Sequence, residues 1–86
     1  MPEISRFYGV VIRMYPADHS PPHFHVEYGE HEGLISIEEL RVIAGELPAR
    51  AFGLVKEWAL LHQAELRALW SKARHCERLT KIEPLP

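Results

Sequence analysis

HFHVEY, residues 23–28, alternates strictly between apolar and polar side chains. In an extended chain successive side chains point to opposite faces. Phe24, Val26 and Tyr28 therefore share one face, and His23, His25 and Glu27 share the other. The apolar three belong against a core. The two imidazoles and the carboxylate are then expected in a row, facing solvent or a cleft.

Reading outward from this strand, GEHEG (residues 29–33) is a hairpin turn in which Gly29 supplies a positive φ. A third strand is expected over about Glu32 to Ile37. Gly33, Ile35 and Ile37 lie on one side of it, Leu34 and Ser36 on the other. Upstream, the β-branched and aromatic residues from Phe7 to Tyr15 read as one strand. Tyr8, Val10, Ile12 and Met14 face one way; Phe7, Val11, Arg13 and Tyr15 face the other. Apolar groups on both faces suit a central or doubly covered strand. Pro16 ends it, and PADHSPP is a loop by composition. Downstream, Arg41 to Ala44 is expected as a short fourth strand closed by Gly45.

From Pro48 to about His75 the period becomes helical. Phe52, Val55, Trp58, Ala59, His62, Leu66, Leu69, Trp70 and Ala73 recur at spacings of three and four. Pro48 suits a first helical position, although Leu47 is a poor cap. Gly53 costs about 1 kcal/mol against alanine inside a helix, which a close approach to the sheet would explain. An unbroken helix would run roughly 40 Å at 1.5 Å per residue, against strands of about 20 Å. Either it breaks near His62–Gln63, or its second half projects beyond the sheet. A projecting half would leave Leu66, Leu69 and Trp70 as an apolar stripe for a partner or a second copy to cover.

The expected fold is α+β: an antiparallel meander of three to four strands packed on a long C-terminal helix, a single domain over residues 1–86. Such a short chain hides only a little over about 60% of its unfolded surface. Hydrophobic content of 47% fits a globular domain, and a net charge of −2 provides no overall field for a polyanion. Cys76 is the only cysteine, so no internal disulfide can form. The apolar stretch near the N-terminus is short and interrupted by Arg13, neither a secretion signal nor a membrane span. A cytoplasmic protein with no membrane partner is the expectation.

The histidines carry the sharpest chemistry. His-x-His on a strand places two imidazoles on one face, about 6.5 Å apart along the chain. His19, four residues upstream on the loop, offers a third nitrogen. His19, His23 and His25 are thus candidate ligands for zinc or another divalent transition metal, with Glu27 or His31 completing or orienting the site. The bland alternative is a strand whose polar face carries ordinary cross-strand pairs with Glu or Arg. Between these stands a polar recognition surface of Arg13, His23, His25 and Glu27.

A ribonuclease-like site would use His23 or His25 as general acid–base and Arg13 on the phosphate. The overall acidity argues against it. Arg67, Lys72, Arg74, Arg78 and Lys81 make the C-terminal third locally basic, but Glu65, Glu77 and Glu83 dilute them, so nucleic acid is a weakly supported partner. His62, on the apolar stripe, reads as a partly buried, hydrogen-bonded histidine rather than a ligand. No P-loop, nucleophile elbow or helix-turn-helix is present.

The opening ISRFYG, the PPHFHV block followed by YGE, and the closing KIEPL together resemble a family of small bacterial proteins known as a domain of unknown function, DUF4160. The resemblance spans nearly the whole chain. It implies a stand-alone, single-domain cytoplasmic protein. Similar proteins are often encoded beside another small protein, in an arrangement resembling toxin–antitoxin pairs. The family's histidine block is matched by Pro21, Pro22, His23, Phe24 and His25, with no assigned role. The first functional expectation is accordingly a protein-interaction component of a two-protein, toxin–antitoxin-like module, bound to a small partner protein or to itself. A metal-binding protein and a ribonuclease-type toxin are the alternatives.

Overall fold

The computed structural model describes residues 3–16 and 18–86. Five strands come first: β1 (Glu3–Phe7), β2 (Val10–Arg13), β3 (His23–Tyr28), β4 (His31–Ser36) and β5 (Val42–Gly45). Two helices follow, α1 (Ala49–Leu61) and α2 (Gln63–Arg74). The strands form one antiparallel sheet in sequence order, β1-β2-β3-β4-β5. The α+β class and the meander are as expected; the strand count is five, not three to four, and one long helix is two.

The extra strand arises from a turn inside the segment read as one strand. Phe7 pairs with Val10, and the two residues between them, Tyr8 and Gly9, have φ of 47° and 84°. Two consecutive positive φ values are what a tight primed hairpin demands. Tyrosine rarely adopts such a backbone, so Gly9 was the only local mark of the turn. Past it the expected alternation holds, with Val10, Ile12 and Met14 all buried.

β3 and β4 are joined by Gly29 and Glu30, with Tyr28 opposite His31 and Gly29 at φ 59°. β5 lies where the short fourth strand was expected. One face of the sheet presents Val10, Ile12, Phe24, Val26 and Ile35 to a core shared with Val55, Trp58 and Ala59 of α1. Trp58 sits centrally, its ring 5.4 Å from that of Phe7 and 5.9 Å from that of Phe24. Its indole N–H donates to the Glu83 carbonyl at 2.8 Å. The Ile82 N–H donates to the Ile4 carbonyl at 2.7 Å, so the tail is tied to β1.

The helix breaks at His62, whose φ of −125° and ψ of 21° leave the helical region. Its N–H falls back to the Ala59 carbonyl, and the Gln63 side-chain amide donates to the Ile37 carbonyl at 2.7 Å, anchoring the break to the sheet. Arg67 then forms a two-pronged pair with Glu38. The longest dimension of the fold is 33 Å, less than an unbroken helix of this length would need. The break folds α2 back onto the core, and Leu66, Leu69 and Trp70 are buried there. They are not an open interface stripe: the chain covers them itself. Gly53 is also not a contact point, since a Cβ there would meet nothing within 4 Å.

Candidate metal centre

Strand parity places Arg13, His25, Glu27, Leu34 and Glu32 on the sheet face away from the core. Arg13 lies opposite His25, His25 opposite Leu34, and Glu27 opposite Glu32. His25 and Glu27 are half-buried on this face, as their side of β3 predicts. His23 departs from that expectation. It is only 5% exposed, because α2 returns to the start of β3 and sets the Trp70 ring 5.2 Å from the imidazole. The first residue of a strand has fewer cross-strand neighbours holding its direction, and an incoming aromatic can enclose it.

The two imidazoles remain together, with ring centroids 5.3 Å apart. Between them the loop before β3 inserts Asp18. One carboxylate oxygen, Oδ2, lies 3.0 Å from His23 Nε2 and 3.0 Å from His25 Nε2. One ligand atom from each of Asp18, His23 and His25 lies within 4.8 Å of the other two. Two ligands about 2.1 Å from a tetrahedral ion are separated by about 3.4 Å, close to the 3.0 Å between Asp18 Oδ2 and each Nε2.

His23 Nδ1 lies 2.7 Å from the Pro21 carbonyl oxygen. A carbonyl only accepts, so Nδ1 carries the proton and donates. That leaves Nε2 of a neutral His23 with a lone pair, aimed at the lone pairs of Asp18 Oδ2. The contact is favourable only if Nε2 carries a second proton or if a cation lies between. A backbone carbonyl fixing the tautomer and aim of a histidine is also the usual support behind a metal-bound imidazole. His25 has no such conflict, since its Nε2–H can donate to Asp18. The edge of the Tyr15 ring packs on His25 at 4.5 Å between centroids.

Burial raises the Asp18 carboxyl, but it is outweighed by the His25 hydrogen bond, the His19 backbone N–H and the nearby charge of His23 and His25. The net effect holds Asp18 below the usual carboxylate range, and so in the anionic form a metal ligand needs.

His19 does not supply the third ligand. Its backbone N–H donates to Asp18 Oδ1 at 2.9 Å, while the residue itself is exposed and outside the ligand group. His31 is exposed at the far end of the hairpin. Glu27 is engaged by Arg13, whose Nε lies 2.9 Å from Glu27 Oε2. Asp18 is the candidate ligand that sequence reasoning missed. Its only signal was a carboxylate adjacent to His19 on the same loop, and loops carry no periodicity from which direction can be read.

Beside the centre the outer face of the sheet is hollowed into a cleft of about 250 Å³. Its walls include Tyr15, His25, Glu27, Glu32, Leu34 and Ala44. His25 thus belongs both to the ligand group and to the cleft. Elsewhere, His62 Nδ1 lies 2.6 Å from Glu65 Oε1, the hydrogen-bonded state expected of it. No helix among the described residues is long and apolar enough to cross a membrane.

The family described as Domain of unknown function (DUF4160) has a model that matches residues 9–71, a span holding Asp18, His23 and His25. No curated protein matches the chain, and no solved structure does.

Proposed function

Taking as premise that the chain belongs to the family described as Domain of unknown function (DUF4160), we propose that this protein binds one divalent transition metal through Asp18, His23 and His25. The observation that carries the reading is the convergence of both Nε2 atoms on one oxygen of Asp18. Two imidazoles and one carboxylate are a donor set suited to zinc, iron, cobalt or nickel rather than to calcium or magnesium. Three protein ligands leave at least one coordination position for water or a ligand, as catalytic rather than structural sites do. The metal would supply Lewis acidity there.

The expectation of an interaction module drew part of its support from a bare Leu66–Leu69–Trp70 stripe. Those residues are in the core, and that support is gone. The nuclease alternative needs a guanidinium available to phosphate, whereas Arg13 is engaged with Glu27.

The test is metal analysis of protein made without a histidine tag and dialysed against Zn²⁺, Co²⁺ or Ni²⁺. One equivalent should remain after a chelating wash of moderate strength, accompanied by a rise in Tm. Retention of less than about 0.1 equivalent with no rise in Tm would refute the proposal.

A further inference from the structure

We infer that Trp70 of α2 is a positioning residue of the metal centre, setting its affinity by holding the His23 imidazole in place. This rests on the metal reading above and adds what governs the strength of binding. A ring already held in its binding orientation gives up less freedom when it takes a metal. The two histidines differ in this respect. The His25 side chain is 29% exposed and has the edge of Tyr15 against it. His23 is enclosed, with the Trp70 ring 5.2 Å away, centre to centre.

The hydrogen bond from His23 Nδ1 to the Pro21 carbonyl fixes the tautomer, but one contact at one edge leaves a ring free to swing. A large side chain packed beside the ring removes that freedom. Trp70 is itself held, since it lies on the buried stripe of α2 with Leu66, Leu69 and Ala73.

α2 reaches the same place by a second route. The Gln63 side-chain amide, at the start of α2, donates to the Ile37 carbonyl at 2.7 Å. The Ile37 N–H donates to the Pro22 carbonyl at 3.0 Å, and Pro22 is the residue before His23. Ser36, next to Ile37, pairs with His23 across the β3–β4 ladder. One helix thus braces both the backbone that carries His23 and the ring itself. Asp18 and His25 have no such support from α2 among the hydrogen bonds and ring contacts of the described residues.

The experiment measures zinc affinity by competition with a chelator of known strength, in variants shown by circular dichroism to be folded. Trp70→Ala should bind zinc about three- to tenfold more weakly, the cost of immobilising one freed side chain. Trp70→Phe keeps an aromatic ring at the position and should recover most of that loss. Leu66→Ala, about one helical turn earlier on the same stripe, removes core packing but leaves the indole beside His23. It should bind zinc as the unaltered protein does. Unchanged affinity in Trp70→Ala, or an equal loss in Leu66→Ala, would overturn the inference while leaving the metal reading intact. If Trp70→Ala does not fold, a zinc titration of the unaltered protein followed by NMR decides. The Trp70 indole N–H signal should then shift to an endpoint at one equivalent, and a signal that stays in place while zinc binds would overturn the inference. Failure of the unaltered protein to bind zinc would remove both readings.

Discussion

The Pro21 carbonyl lies 2.7 Å from His23 Nδ1 and so determines which nitrogen of His23 faces Asp18. The acceptor is backbone and cannot be changed by substituting a side chain. What can be changed is the imidazole itself, and the two histidines of the centre should then behave differently.

His23 is buried against Trp70, whereas the His25 side chain is 29% exposed. His25→Ala should abolish stable metal retention with little loss of stability in the metal-free protein. His23→Ala should also abolish it and, by opening a cavity beside Trp70, cost about 2–4 kcal/mol in urea unfolding. Equal stability losses would contradict the burial assigned to His23.

Asp18→Asn retains the shape of the side chain and removes its charge. Metal retention should fall sharply, while His19→Ala should retain the full equivalent. Metal content of the two purified variants, measured side by side, checks the exchange of Asp18 for His19 as the loop's ligand. Full retention in Asp18→Asn would refute it.

Leu66→Ala should cost about 2–5 kcal/mol, since Leu66 is fully buried. A residue on an open helix stripe would cost far less. Chemical denaturation distinguishes these outcomes without reference to any partner.

Two glycines should respond in opposite directions. At Gly53 a Cβ meets nothing, and Gly53→Ala should stabilise α1 by about 1 kcal/mol. At Gly45, with φ 77°, a Cβ would run into the Glu32 carbonyl, and Gly45→Ala should destabilise by more than about 1 kcal/mol. Thermal melts of both variants report the signs.

The Arg67 pair holds the Glu38 carboxyl below its ordinary value of 4.5, chiefly through their hydrogen bond. A carboxylate depressed in the folded state contributes stability in full above its unfolded value. That contribution is lost as pH falls through the lower, folded value. The Tm of the unaltered protein should therefore exceed that of Glu38→Gln at neutral pH. The gap should close progressively below pH 4.5. Both side chains are half-exposed, so the gap should be small and should shrink in high salt.

The α+β class, the hairpin at Gly29, the strand ending at Gly45 and the core faces of β2, β3 and β4 were legible in the sequence, because alternation and glycine placement act over a few residues. The turn at Tyr8–Gly9 was less so, since it asks a tyrosine to adopt a backbone that its own preference disfavours. The helix break at His62 has neither proline nor glycine to announce it. It is held by Gln63 on the Ile37 carbonyl and by Arg67 on Glu38, contacts between residues far apart in the chain.

The histidine centre divides in the same way. Residues 23–28 by themselves determined that His25 and Glu27 share a face opposite Phe24 and Val26, because that follows from the two-residue repeat of an extended backbone. Tertiary structure alone decided that Asp18 rather than His19 meets the imidazoles, and that Trp70 closes over His23. A loop side chain has no repeat to fix its direction. A helix finds its resting place only when its apolar face meets the rest of the core.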